Sequence, residues 1–511
     1  MKKVIIIGAG IGGLISAIKL KHHGYDVTVI EKNGYIGGKI NQIKKDGFTF
    51  NIGPMTDKYY EIFDDVYHYV GKDPREYFSI FPLSKNYHVY FSKENMAEVS
   101  SEFVSLNKFL ETLNEKEISH YFSFLDEHFD SYTSKDNFIK KSFNPMINAI
   151  KSKVSLNQLN HFKSRSLNPS ESDFTISKHL RELLIFQQLF LGGSSYDRNY
   201  RQYFSPNYSD HEDMVLIKGG MSGYIQGLEK LMQEVKIKIL TNTHVDEIFI
   251  SQGHAKGVVI GEDIFCADIV INNTDFPYAM TNLIKNEKHR PRNTSKKLEK
   301  MYYSPSAFMM ALGLNIKLNQ LNVHNLYLSS DLDANINSIF NAALPTSPSM
   351  VLHVPSKIDS NLAPLNHEVL IIFVPVPHLK EFKQSRNDKL IQQFRQIVLD
   401  RIATGKFIDN LEEHIISETI LTPKDWERNV HAHYGSIFGL SSTSKQSKHS
   451  KPEPKSKEVQ RLYHTGTSIV PGATIPLVMV NAQLYVDEVL KFDPNGEGNA
   501  CSIYAKQYEN A

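Results

Sequence analysis

The first thirty residues alternate apolar runs with glycine and polar turns. Val4–Ile7 is an unbroken apolar run, which is typical of a strand buried on both faces of a parallel sheet. Leu14–Lys21 carries apolar residues at helical spacing, and Val27–Ile30 is a second apolar run. The pattern therefore predicts a strand, a helix and a second parallel strand, which together form a βαβ unit.

Farther along the chain, shorter apolar runs are separated by turn residues. Lys45–Pro54 contains an Asp-Gly pair followed by alternating apolar residues, which predicts a hairpin and a strand. Leu216–Gly223 predicts a short strand and a glycine turn, with a helix continuing through Met232. The β-branched runs between Lys236 and Asn272 are typical of a β-meander. These elements predict that an α/β fold resumes after residue 206.

Two long segments interrupt this α/β pattern. The segment 93–205 is polar, and its apolar residues fall at helical offsets, as in Phe103, Leu106 and Phe109, so it predicts a helical insertion. The segment 286–430 mixes β-rich pieces such as Ala307–Ile316 with a predicted helix at Asp388–Arg401. This second composition suits an inserted domain with a mixed sheet.

Composition excludes several classes of protein. The chain has 511 residues and is 41% hydrophobic, which is enough for two or three domains. Its 57 basic and 56 acidic residues give a net charge of +1, so we expect no nucleic-acid partner. The low-complexity, lysine-rich segment 441–457 predicts a flexible loop, either a basic loop that touches anionic lipid or a solvated surface loop.

The candidate chemistry begins with the glycines between the first strand and helix. Gly8 permits a tight turn, Gly10 lets the backbone approach a pyrophosphate, and Gly13 lets the helix pack closely on the strand. Glu31 stands 23 residues after Gly8, at the end of the second strand, where an acid accepts hydrogen bonds from a ribose. This order predicts a dinucleotide site and leaves NAD and FAD as alternatives.

Two later features favour FAD and a discontinuous domain. Gly37-Gly38-Lys39 forms a second glycine turn, where backbone can pass close to a flavin's ribityl chain and pyrophosphate. Near the other end of the chain, Gly466 and the turn Pro471–Pro476 precede a predicted helix at Leu477–Leu490. We expect this late turn to close the nucleotide site.

Across these blocks the chain resembles the bacterial carotenoid desaturases of the phytoene desaturase family. The resemblance rests on Gly8–Lys39 and on the following blocks: Lys45–Pro54, Lys218–Gly223, Thr274–Pro277, Ser306–Met310, Ser417–Pro423 and His433–Leu440. It implies FAD, a hydrophobic C30 or C40 polyene substrate, and a cytoplasmic protein attached peripherally to the inner face of the cell membrane. Oxygen or a quinone would accept the electrons, and a homo-oligomer stays open.

The resemblance also implies how the chain is divided into domains and which residues bind the cofactor. We predict a discontinuous Rossmann-like FAD-binding domain in three parts, 1–92, 206–285 and 431–511, with a helical membrane-facing region at 93–205 and a substrate domain at 286–430. The expected cofactor-binding residues are Gly8, Gly10, Gly12, Gly13, Glu31, Lys32, Gly37, Gly38, Lys39, Gly53, Pro54, Val245, Asp275, Gly466, Ile475 and Pro476. We assign no catalytic acid or base and no metal.

Several residues have two interpretations. Lys39 reaches the flavin phosphates or lies on the surface, and Asp275 faces the cofactor or caps a turn. His431 and His433 have the spacing that places two imidazoles on one strand face, yet no third metal ligand is evident. Thr474 stands where the family usually has glycine, and it would be strained if that position required a positive φ.

Two other functions remain as alternatives. Leu191–Asp197 resembles the related carotenoid terminal-methyl oxygenases, which like amine oxidases are FAD oxidoreductases on the same fold. A non-catalytic isoprenoid-binding relative is the other alternative, and Val470 and Thr474 are its support.

Overall fold

The computed structural model describes the chain in defined ranges. These are residues 1–55, 60–83, 87–91, 96–99, 182, 186, 189, 214–382, 388–405, 408–441, 446, 451–470 and 472–496. Most of the predicted helical insertion at 93–205, including Leu191–Asp197, lies outside the described residues. Pro471 and most of the basic segment 442–450 lie outside them as well.

The described ranges contain both strands and helices. The strands are β1 (Lys3–Ile7), β2 (Asp26–Ile30), β3 (Asn41–Lys45), β4 (Phe48–Ile52), β5 (Ile80–Leu83), β6 (Tyr87–Tyr90), β7 (Met96–Val99), β8 (Met214–Ile217), β9 (Lys238–Leu240), β10 (Glu247–Ser251), β11 (His254–Ile260), β12 (Asp263–Cys266), β13 (Ile269–Asn272), β14 (Ser306–Leu314), β15 (His324–Tyr327), β16 (Met350–His353), β17 (Glu368–Val376), β18 (Ile415–Leu421) and β19 (Leu462–His464). The helices are α1 (Ile11–His22), α2 (Tyr60–Tyr69), α3 (Met221–Glu234), α4 (Phe276–Tyr278), α5 (Ser295–Glu299), α6 (Leu332–Phe340), α7 (Asp388–Gly405), α8 (Pro423–Val430) and α9 (Ile475–Phe492).

A five-stranded parallel sheet forms the nucleotide-binding part of the fold. Its order is β19-β13-β1-β2-β9, so it joins strands from both ends and the middle of the chain. Ile7 at the end of β1 is in register with Ile30 on one side and Asn272 on the other. The predicted discontinuous α/β fold is confirmed, and the carboxyl ends of β1, β2 and β13 meet at one edge.

The predicted β-meander is only partly correct. β10, β11 and β12 form a three-stranded antiparallel sheet, but β9 and β13 belong to the parallel sheet. All four residues of β13 are buried, because this strand lies inside the parallel sheet between β1 and β19. Alternation along the chain predicted strands here, but it does not distinguish between neighbouring sheets.

The second large sheet has seven strands in the order β18-β14-β17-β16-β15-β6-β7. β14 is buried along its whole length, and its two neighbours β17 and β18 are antiparallel to it. β14 to β18 fall within the predicted substrate domain, whereas β6 and β7 add residues 87–90 and 96–99 from an earlier part of the chain. One face of this sheet turns toward the candidate site.

The predicted flexible loop at 441–457 is packed where the structure describes it. Gln446 is buried and its side-chain amide donates hydrogen bonds to the carbonyl oxygens of Tyr302 and Ser441. Lys455 lies with its Nζ 3.2 Å from the centroid of the Phe492 ring. Glu453 and Lys457 in the same segment are exposed, so its described part combines packed and solvated residues.

A buried histidine in β19 makes stability depend on pH. Full burial lowers the pKa of His464 to about 3, and its ring packs edge-on against Phe276. In the unfolded chain a histidine binds a proton below about pH 6.5, so stability is lost as pH falls from about 6.5 toward 3. We expect His464→Asn to flatten the melting temperature as a function of pH between 7 and 5. His68→Asn, which removes an exposed histidine, is the control, and an equal slope in both variants would contradict the assignment.

Candidate functional site

A cavity of about 570 Å³ lies between the edge of the parallel sheet and the face of the seven-stranded sheet. Most of the residues predicted for the cofactor line it: Gly8, Gly10, Gly12, Glu31, Lys32, Gly37, Gly38, Lys39, Gly53, Pro54, Val245, Asp275, Gly466, Ile475 and Pro476. Gly13 does not line the cavity. A Cβ on Gly13 would lie 2.5 Å from the Gly8 carbonyl oxygen, so its hydrogen permits the close packing of α1 on β1.

The glycine loop after β1 is held open toward the cavity. Gly8 has φ +95°, which favours glycine, and Gly10 precedes α1 with φ −73°. Gly10 forms an isolated bridge with Gly37, so the two glycine turns lie side by side. Gly10 has no side chain to cap the helix, so the N–H groups in the first turn of α1 are available to bind an anion.

Asn273, which the sequence analysis did not single out, locks this loop. Its Nδ2 donates hydrogen bonds to the carbonyl oxygens of Gly8 at 2.8 Å and Gly10 at 3.2 Å. Asn273 directly follows β13, which is parallel to β1, so it stands beside the end of β1. Its place at the carboxyl end of a parallel strand is the signal that predicts such a residue.

Glu31 connects the glycine loop to the end of β2. Its carboxylate accepts hydrogen bonds from the N–H groups of Ala9 at 2.8 Å and Asn33 at 2.9 Å, and it is 5% exposed. Each carboxylate oxygen keeps a further acceptor site. Because Glu31 also lines the cavity, it is placed to accept the hydroxyl groups of a ribose.

The Lys39 ammonium group does not lie free on the surface. Its Nζ donates hydrogen bonds to the Ile437 carbonyl oxygen at 2.6 Å and to Thr467 Oγ1 at 3.2 Å. Burial lowers the pKa of Lys39, and the nearby Asp275 opposes this shift. Lys39 therefore ties the second glycine turn to two late segments of the chain and presents a cation to the cavity.

Asp275 does not act as a side-chain cap. It precedes α4, but its carboxylate makes no capping hydrogen bond. It accepts hydrogen bonds from the His433 N–H at 2.9 Å and from the Ser468 hydroxyl. Asp275 therefore joins the parallel sheet to two later segments at the cavity wall, and the turn interpretation accounts only for its backbone.

The amino end of α9 closes the cavity at the late glycine turn. Ile475 and Pro476 form its first turn, and Thr474 precedes them with φ −77°. The strain expected of Thr474 is therefore absent, because extended backbone suits a β-branched residue. Val470 is 38% exposed and lies outside the cavity lining.

The seven-stranded sheet contributes an apolar floor to the cavity. Met309, Phe373, Val351 and Leu326 are successive cross-strand partners on β14, β17, β16 and β15, and all four line the cavity. Trp426 lines it too, with its indole N–H donating to the Ala307 carbonyl oxygen at 2.9 Å. The four cross-strand residues, called the apolar row below, suit a long hydrophobic ligand rather than a charged one.

The two histidines of the His431-Ala432-His433 motif do not share a strand face. His431 follows α8 in the left-handed conformation, and His433 begins a short 3₁₀ helix. His431 lines the cavity, whereas the His433 ring packs against Tyr303 and Tyr434. Within the described ranges, no three His, Cys, Asp or Glu side chains are grouped to hold a metal.

These features fit a flavin dinucleotide. The side-by-side glycine turns leave backbone exposed to a pyrophosphate, since a Cβ on Gly38 would lie 3.3 Å from the Gly10 Cα. Among the described residues, the buried hydroxyl Thr465 Oγ1 has no hydrogen-bond partner, and it would lie 2.8 Å from a Cβ on Gly12. The remaining cavity, between Lys39 and the apolar row, is left for a flat ring system and an apolar ligand.

Known proteins are similar to this chain in sequence and in fold. Residues 11–487 match the family model described as flavin containing amine oxidoreductase. The 4,4'-diapophytoene desaturase (4,4'-diaponeurosporene-forming) of Staphylococcus aureus strain Newman is 30% identical over 500 residues, which cover 96% of this chain and 99% of that protein.

Solved structures show the same fold at lower identity. An oxidoreductase from Methanosarcina mazei superposes with a TM-score of 0.65 at 16% identity and covers 95% of this chain and 100% of its own. Cyclohexylamine oxidase from Brevibacterium oxydans gives a TM-score of 0.55 at 15% identity, over 96% of this chain and 99% of its own.

Proposed function

Because this chain belongs to the flavin-containing amine oxidoreductases and, among them, to the carotenoid desaturase family, we propose that it binds FAD and desaturates a linear C30 carotenoid precursor. The precursor is of the 4,4'-diapophytoene (dehydrosqualene) type, which is the substrate class in the name of the Staphylococcus aureus relative. The enzyme is an oxidoreductase that acts on a CH–CH bond.

One observation supports this function most strongly. A single cavity joins the glycine loop at Gly8 and Gly10 to the apolar row that runs across the seven-stranded sheet. Neighbouring strands lie about 4.8 Å apart, so a row across four strands is roughly 14 Å long. A segment of an extended hydrocarbon chain would lie along this row, beside the part of the cavity that the glycine loop lines.

The side chains of the cavity bind and orient the reactants. When bound, FAD supplies at its N5 atom the acceptor for a hydride from the substrate. Gly8, Gly10 and Lys39 would hold the cofactor's phosphates and ring in place, and the apolar row would exclude water from the hydrocarbon. In the net reaction, two hydrogens would pass from an allylic carbon pair to the bound FAD, as a hydride and a proton, and a carbon–carbon double bond would form in the substrate.

The alternative functions are not favoured. The Staphylococcus aureus relative, which the match covers over 99% of its length, is named a desaturase rather than a terminal-methyl oxygenase. The relaxed φ of Thr474 removes one of the two arguments for a relative without flavin, and the exposed Val470 lies away from the cavity.

Pigment analysis tests the proposal directly. We expect cells that express this chain with a C30 dehydrosqualene synthase to accumulate a yellow polyene, whose mass gives the number of hydrogens removed. Cells with a C40 phytoene synthase serve as the comparison for chain length. Unchanged colourless precursor, with purified protein that is folded and yellow, would contradict desaturation of this substrate class. Terminal aldehydes would indicate oxygenation instead.

The finer part of the proposal concerns attachment to the membrane and the electron acceptor. No helix of the described ranges is both long and apolar enough to cross a membrane. We propose peripheral attachment to the inner face of the cell membrane, because an apolar polyene partitions into lipid. Oxygen or a membrane quinone then accepts the electrons, and the rate of flavin reoxidation with each separates them.

A further inference from the structure

The cavity extends past Glu31 to a group of three aromatic rings. Tyr278 and His431 are stacked, with ring centroids 4.0 Å apart and planes inclined by 25°. His244 meets His431 edge to face at 5.7 Å, and its Nε2 lies 3.5 Å from the Tyr278 hydroxyl. All three residues line the cavity. These residues are called the ring wall below.

The ring wall is assembled from distant parts of the chain. His244 lies in the loop between β9 and β10, Tyr278 ends α4, and His431 follows α8. The loop after β2 is docked onto the end of α8, because Lys32 Nζ donates to the Arg428 carbonyl oxygen at 2.5 Å and Asn33 Nδ2 donates to that of Asn429 at 3.0 Å. These contacts hold His431 beside the residues that follow Glu31.

His431 is kept in an unfavourable backbone conformation. Its φ is +51°, in the left-handed region, which residues other than glycine adopt only uncommonly, although histidine is one of the more tolerant types. Residues in such conformations cluster at ligand sites, where the surrounding structure maintains them. The position of this ring is therefore maintained against a local cost.

The His431 ring of this wall is uncharged at physiological pH. Burial, together with the nearby Lys32 and His244, lowers the pKa of His431 to about 3. The neutral imidazole presents an aromatic surface and hydrogen-bonding nitrogens rather than a cation. Val245, Leu283 and Val430 add apolar surface to the same part of the cavity.

We propose that the ring wall of His244, Tyr278 and His431 binds the adenine ring of the dinucleotide. The inference deepens the proposed function and rests on it, because FAD must be the cofactor. The glycine loop places the pyrophosphate and Glu31 places the ribose, so the next group along the cofactor is the adenine. A flat, uncharged heterocycle matches a wall that offers aromatic carbon and imidazole nitrogen.

The test compares a cofactor that carries adenine with one that lacks it. Apoprotein of the full chain is titrated with FAD and with FMN, and flavin fluorescence gives both dissociation constants. A base stacked on an aromatic side chain contributes about 1–3 kcal/mol, which is roughly 5- to 100-fold in affinity. We expect His431→Asn and Tyr278→Leu to weaken FAD by that factor and to change FMN by less than about 2-fold.

His433→Asn is the matched control, because it removes a ring two positions away that does not line the cavity. Asparagine tolerates the left-handed backbone, so the His431 variant keeps its fold. Equal weakening of FAD and FMN, or equal loss in the His433 variant, would show that the rings only support packing and would overturn the proposal. Unchanged FAD affinity in both His431→Asn and Tyr278→Leu would also overturn it. A wild-type chain that binds neither flavin would instead refute the proposed function.

Discussion

Gly10→Val is expected to abolish flavin binding while leaving the apoprotein folded. The φ of Gly10 is −73°, so a valine fits the backbone, and the obstacle is space. Its Cβ would lie 3.0 Å from Asn273 Nδ2, and its methyl groups would enter the room left for the pyrophosphate. Exclusion of the pyrophosphate removes its hydrogen bonds to the loop, and each lost hydrogen bond to a charged group costs about 1.5–3 kcal/mol. We therefore expect FAD affinity to fall about 100-fold or more.

Flavin binding can be measured directly on the purified protein. The wild-type chain should purify yellow, and Gly10→Val should purify colourless with a melting temperature close to that of wild-type apoprotein. Gly496→Val is a matched control, because a Cβ at Gly496 meets nothing within 4 Å. Retention of normal flavin by a folded Gly10→Val protein would refute the placement of the pyrophosphate at this loop.

Asn273→Asp is expected to weaken FAD more than Asn273→Ala does. The wild-type amide donates to the carbonyl oxygens of Gly8 and Gly10. Alanine removes two hydrogen bonds, each worth about 0.5–1.5 kcal/mol, so we expect roughly a 10-fold loss. Aspartate sets a carboxylate against two carbonyl oxygens and beside an anionic pyrophosphate, so we expect about 100-fold or more.

Protonation gives the aspartate variant a distinctive pH dependence. A neutral carboxylic acid can donate to a carbonyl oxygen, so FAD affinity of Asn273→Asp should recover as pH falls from 8 toward 5.5. Asn366→Asp introduces the same charge at an exposed turn and is the control. Equal effects of aspartate and alanine at all pH values would contradict the role of Asn273 as a donor to the glycine loop.

Local sequence patterns predicted the nucleotide-binding part of the fold well. The apolar run Val4–Ile7, the glycines after it and the helical spacing of Leu14–Lys21 all depend on neighbouring residues, and β1 and α1 lie where they indicated. The Asp46-Gly47 turn between β3 and β4 was likewise predicted from the Asp-Gly pair. Both residues have the positive φ that such a turn requires. The α/β fold class and a dinucleotide cofactor followed from these local signals, whereas FAD rather than NAD was favoured by Gly37-Gly38-Lys39 and by the family resemblance.

Side-chain partners in the site were harder to predict, since they lie far apart in sequence. Asn273 and Gly8 are 265 residues apart, and Lys39 and Ile437 are 398 apart. Neither periodicity nor motif spacing specifies which distant segments meet. The same limit explains the error over the β-meander, because alternation predicts a strand without naming its sheet.

The chain's own order of residues was enough to establish the βαβ unit, the glycine turns, the acid after β2 and membership of a flavoprotein family. Those features depend on backbone conformation and burial over short stretches, where each residue type has a strong preference. Folding in three dimensions decided the rest: the partners of Lys39 and Asp275, the apolar row across four strands, and the ring wall beside Glu31. These arise from sheet order and from the docking of α8 on the loop after β2, which many distant contacts select together.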